Sequence, residues 1–220
     1  MTNPPCILAD LRRSDIDPND SLWNNVPQIR RDFDLALQYT IRHIENEERK
    51  RSDTYAIIHP LTAAWLVGEP TDAPALADLV RLAWQVGGEG VQKVEETALK
   101  ALVEVVDSDD VGFLQACFQY SRPRDSMAGR RRAIVMLGAA AAACLHNDEG
   151  AWNLVMSGTA HKIQEVRRGV CEAAIDLQFS LDERTPTRLS EIIQPLESDP
   201  DISVQYLAKC FFRGEDPGFM

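Results

Sequence analysis

The chain has 220 residues, 45% of them hydrophobic and 26% charged, the ordinary balance of a protein that buries a core. Its formal net charge of −11 disfavours a generic binder of nucleic acid or anionic membrane, because neutralising phosphates needs clustered Lys and Arg. No run of about 18 apolar residues is present, so no membrane span is expected.

From the N-terminus, residues 1–21 read as irregular, with acids and arginines mixed and no apolar stretch of a secretory signal. Residues 26–51 form a long amphipathic helix with Ile29, Phe33, Leu37, Tyr39, Ile41 and Ile44 as its apolar positions and a wholly charged end from Glu45 to Arg51. Turn signals then arrive at short intervals: Gly68–Pro70, Gly87–Gly90, Asp107–Asp110, Ser121–Asp125, His146–Gly150 and Ser198–Asp201. Gly and Pro break helices, while Asp, Asn and Ser offer cap oxygens to the amides of the next one. Between the breaks, apolar residues recur at three and four rather than two, as in Val94, Ala98, Ala101, Leu102 and Val105. That period predicts an all-α chain. Residues 214–220 are a short tail.

The stripes repeat. Leu61, Ala98, Ala133, Val170 and Ala208 fall in one column at spacings of 35 to 38 residues, with Ile57, Val94, Gly129, Val166 and Val204 four positions before them. Trp65, Leu102, Leu137, Ala174 and Phe212 lie four positions after. A second column runs through Leu79, Leu114, Leu154 and Ile192. Small residues in a column let helix axes approach, and fixed-period helix pairs bury their faces only by stacking. "IIHPL" (57–61) and "IIQPL" (192–196) resemble each other yet fall in opposite helices of their pairs. Pro60 and Pro195 should each kink or restart a helix.

The segments "HKIQEVRRGVCEAAIDL" (161–177) and "DPDISVQYLAKCFF" (199–212) resemble the second helix of HEAT repeats, with an Asp-rich turn, a Val-Arg step at Val166-Arg167 and a face of small residues. The preceding stretch has Gly129-Arg130 at that step, so the repeats are divergent. The resemblance covers roughly residues 53–213. It implies an α-solenoid of about five antiparallel HEAT-like helix pairs, an α-α superhelix forming a single repeat domain over 22–213.

No catalytic centre is legible. His43, His59, His146 and His161 have no ligand partners at metal spacing except His146 beside Asp148 and Glu149, which read as a helix cap. Glu95-Glu96 and Asp109-Asp110 read as exposed-face or cap residues, and Gly87–Gly90 as a helix–helix turn. The cysteines Cys6, Cys117, Cys144, Cys171 and Cys210 occur singly, with no CxxC, as free thiols do in a reducing compartment such as the cytoplasm. The expectation is a protein that is not an enzyme and needs no cofactor or metal.

Two clusters stand out. Arg130, Arg131 and Arg132 lie one repeat before Arg167 and Arg168, so two adjacent rungs would show a basic strip to a carboxylate or phosphate. Equally, such arginines pair with acids of neighbouring turns, for which Asp125, Glu165 and Asp201 are at hand. Phe211 and Phe212 end the last helix, where no further repeat covers them; the tail, with Phe219 and Met220, or a second copy of the chain would fill that edge.

The function expected is a protein-binding or scaffold module. A narrower form is an inhibitor or immunity-type protein whose acidic half, with 20 acids and 11 bases in residues 1–110, occludes a basic partner. The HEAT-like resemblance admits two further readings: a phycobilin lyase-like protein, or a HEAT-like DNA glycosylase gripping DNA through the strip from Arg130 to Arg168. The acidity speaks against nucleic acid.

Overall fold

The computed structural model describes residues 40–42, 44, 70–87, 89–105, 110–181 and 187–217, and every regular element among them is helical. None of these helices is long and apolar enough to cross a membrane. The chain divides into two compact units, Met1–Val105 and Val106–Met220.

In the first unit a 3-10 turn, Pro70–Asp72, leads into α1 (Ala73–Val86), which packs on α2 (Glu89–Val105). Gly87 makes the turn between them at φ 67, a backbone region in which a Cβ is strained. Leu76, Leu79, Val80 and Ala83 of α1 and Val94, Ala98 and Leu102 of α2 are all buried. Glu95, expected on an exposed face, is instead 1% exposed and accepts the Trp84 indole N–H at 3.2 Å. It sits beside the Val94–Ala98 stripe, and the indole supplies a donor that makes burial of a carboxylate tolerable. Of the expected 26–51 helix, residues 40–42 and 44 are described; they are helical, with Thr40 and Ile44 buried. The remainder, including His43, lies outside the described residues, as do His59, Leu61 and Trp65.

Among the described residues the second unit holds α3 (Val111–Gln119), α4 (Ala128–His146), α5 (Glu149–Thr159), α6 (Gln164–Leu181), α7 (Thr187–Ile193) and α8 (Ile202–Arg213). α3 packs on α4, and α5 on both α4 and α6, while α7 lies against α5 and α6. Local chemistry sets the ends. Asp148 caps α5 by accepting the Ala151 amide at 2.7 Å, and Asp201 caps α8 through the Ser203 and Val204 amides. Asn147 and Gly214 close α4 and α8 in the left-handed region. Pro195 does restart the chain, at the head of a 3-10 turn, Gln194–Ser198.

α4 lies against α6, and α6 against α8. At the crossing of α4 and α6 the column residue Ala133 meets Gly169, the neighbour of Val170, while Val170 itself lies at Gly158 of α5. A Cβ on Gly169 would meet the Cα and Cβ of Ala133 at 2.8 Å and its carbonyl oxygen at 2.9 Å, so the axes of α4 and α6 approach at the small-residue positions. Gly129 lies beside Ile163 and Glu165; residue numbers rise together along both helices, which therefore run parallel. Val166, Val170, Ala174, Val204 and Ala208 are all buried, whereas Phe212, placed in the same apolar set, is 43% exposed.

Candidate functional site

The turns that precede α4, α6 and α8 form one edge of the second unit, and three of the five ladder arginines bond there. In the turn before α4, Arg124 takes a positive φ of 55, and Asp125 accepts the Met127 amide at 3.1 Å. Arg131, 1% exposed, closes on that carboxylate with both terminal nitrogens, at 2.8 and 3.2 Å, and stacks its guanidinium 4.9 Å from the centre of the Tyr120 ring. Burial pushes the Asp125 carboxyl up, but the hydrogen bonds and charge of Arg131 and the Met127 amide outweigh it and hold the group below the usual carboxylate range.

Arg132 donates Nε to the Phe118 carbonyl at 2.7 Å and lies 5.9 Å from that ring. Phe118 also meets His161 edge-on at 5.6 Å. His161 accepts the Ile163 amide on Nδ1 at 3.2 Å, and burial with the neighbouring Arg132 charge lowers its pKa, which favours the neutral ring. Arg167 then joins two turns: Nη1 donates to the His161 carbonyl at 2.7 Å, while Nε and Nη2 hold Asp199 at 2.7 and 2.9 Å. The bonds from Arg167 and the Asp201 amide hold the Asp199 carboxyl below its ordinary range.

The acid that meets Arg167 is thus Asp199. Asp201 caps α8 instead, also accepting the Ser203 hydroxyl, and Glu165 is exposed. Arg131, Arg132 and Arg167 donate to acceptors of the chain itself, which is the turn-pairing role rather than an open strip. Arg168 is different. Its side chain is 44% exposed and pairs along its own helix with Glu172, itself 46% exposed, at 2.7 Å. Arg130 is exposed at the start of α4.

The two phenylalanines separate as well. They meet edge-on with ring centres 5.2 Å apart, yet Phe211 is 2% exposed and packs inward while Phe212 faces solvent. Sequence reasoning missed two exposed apolar residues of the same helix, Ile202 at 82% and Tyr206 at 40%. A signal was present: with Val204, Leu207, Ala208 and Phe211 buried, residues four apart from Ile202 must lie on the opposite face. Lys209 is exposed there too, and α8 contains no acid. On α6 the exposed side carries Glu165, Glu172, Asp176 and, at 52% exposure, Phe179.

Among the described residues no group of three or more His, Cys, Asp or Glu side chains is placed to hold a metal ion. Cys117, Cys171 and Cys210 are buried. Burial pushes the Cys171 thiol up to about 12 and the half-buried Cys144 thiol to about 11, so neither is a thiolate nucleophile at neutral pH.

No family model matches the chain, and no curated protein matches it. A solved crystal structure of an engineered protein is similar to it at 16% identity and a TM-score of 0.47, over 97% of this chain and 98% of that one.

Proposed function

We propose that the chain is a non-enzymatic protein-binding module, a divergent HEAT-like solenoid that presents the outer faces of its second helices to a protein partner. The observation that carries this reading is the exposed surface of α6 and α8, where Phe179, Ile202, Tyr206 and Phe212 stand among charged residues. Apolar side chains ringed by charge are the composition of a recognition patch. The arginines at the turn edge support it by subtraction, since Arg131 and Arg167 spend their donors on the chain's own acceptors.

A photo-reactive phenylalanine analogue at Tyr206, compared with one at the exposed Gln194 of the 3-10 turn, tests the reading in living cells. A discrete protein adduct from position 206 and none from 194 is expected. Absence of an adduct at 206, or the same smear from both positions, contradicts it.

A further inference from the structure

The exposed side of α8 has a chemical order. Ile202, Tyr206, Lys209 and Arg213 recur at helical spacing, fall within about 60° of one another around the axis, and are all exposed. The stripe is apolar at its N-terminal end and basic at its C-terminal end. The segment that follows α8 carries matching chemistry in the reverse order, with the acids Glu215 and Asp216 first and then Phe219 and Met220.

The end of α8 turns the chain toward that stripe. Gly214, at φ 64, donates its amide to the Phe211 carbonyl at 3.2 Å, and the Glu215 amide reaches back to the Cys210 carbonyl at 3.0 Å. The Glu215 carboxylate lies 3.7 Å from the Arg213 guanidinium. It stands near Tyr206 as well: the Cys210 side chain, burial and then the Glu215 charge raise the pKa of that hydroxyl. Residues 214–216 are exposed, whereas Pro217, where the described residues end, is half-buried. The chain has come back onto the protein by that point.

Reach agrees with direction. Glu215 bonds at the level of Cys210, and Tyr206 and Ile202 lie about 6 and about 12 Å back along the axis at 1.5 Å per residue. The four steps from Glu215 to Phe219 span up to about 13 Å when extended.

We propose that this segment of the chain occupies the stripe, running back along α8 with Phe219 against Ile202 and Tyr206. The exposed Arg213–Glu215 pair sets the register and adds little stability, while the apolar contact supplies the attraction. The stripe belongs to the face read above as a recognition patch, and the inference rests on that reading only for its consequence. In the free chain Phe219 covers the patch, and a partner displaces it.

The photo-reactive phenylalanine analogue tests the contact when placed at position 202, which is 82% exposed, in the purified full chain. After illumination, trypsin releases the peptide that follows Arg213, which contains no Lys or Arg, and mass spectrometry reads what is joined to it. An adduct between position 202 and that peptide is expected at the mass of one chain. Phe219→Ser should lower its yield about fivefold, as loss of a partly buried aromatic contact does, while Phe219→Leu keeps it and circular dichroism stays unchanged. The analogue at Gln194 should give no such adduct. No adduct from 202, an equal yield with Phe219→Ser, or an adduct only at twice the chain mass overturns the proposal, the last in favour of a second copy. In cells the two readings separate. A discrete partner adduct from position 206 without the internal adduct removes the cover and keeps the patch. The internal adduct without any partner adduct, in wild type and Phe219→Ser alike, keeps the cover and removes the patch. Where both form, Phe219→Ser should raise the partner adduct severalfold, and an unchanged yield overturns the cover.

Discussion

At the turn edge of the second unit, Arg131 and Arg167 lie against aspartates with side-chain exposures of 0% and 12%, and their partners are 5% and 3% exposed. One residue further along α6, Arg168 and its partner Glu172 are 44% and 46% exposed. A step of one residue turns a helical side chain by about 100°, and here it separates a group that ties turns together from one on an outer face. Charge clusters in a helical sequence therefore divide by face before they divide by function.

Arg131→Met should break this comparison most forcefully. It leaves the Asp125 carboxylate, which is 5% exposed, with the Met127 amide and the longer Arg122 pair at 3.6 Å, so the loss approaches the about 3–5 kcal/mol of a broken buried pair; urea unfolding reads it. Replacing Asp125 by Asn in the same background should recover part of it, because the weakly paired charge is gone. Gly169→Ala comes next. A Cβ there meets backbone atoms of Ala133 at 2.8–2.9 Å, so the helices must part, and overpacking of about 1–3 kcal/mol should exceed the helix-propensity gain of about 1 kcal/mol. A more stable Gly169→Ala protein would contradict the close crossing of α4 and α6.

Acid sharpens the contrast. Asp199 has a folded pKa below its unfolded value, so its contribution is fully present above the unfolded value of about 4 and is lost as pH falls through the lower folded one. The stability gap between wild type and Asp199→Asn should be constant near neutrality and shrink below about pH 4. A gap that widens on acidification would reverse the assignment. The smallest effect belongs to Arg168→Ala, whose exposed pair one turn apart is worth about 0.3–0.5 kcal/mol; a loss like that of Arg131→Met would erase the distinction between edge and face.

Much of the helical pattern was legible because burial enforces it. Val94, Ala98 and Leu102, and again Val166, Val170 and Ala174, recur at helical spacing and are buried together. Caps were legible where the chemistry is local, as at Asp148. Partners across the stack were not. Arg167 and Asp199 are 32 positions apart, and Asp199 and Asp201 are the same residue type two apart, so only the packed turn decides which accepts the guanidinium and which caps the helix. The pair Phe211-Phe212 was opaque for a related reason, since adjacent residues point about 100° apart and composition does not say which is inward. Glu95 was misplaced because its donor, Trp84, comes from the preceding helix.

The most direct test of the division between edge and face is urea unfolding of Arg167→Met beside Lys209→Glu. Arg167→Met should lower the midpoint clearly, because Asp199 and the His161 carbonyl lose their donor, while Lys209→Glu should unfold at the wild-type midpoint. Equal midpoints for the two variants, or a loss confined to Lys209→Glu, would contradict the account.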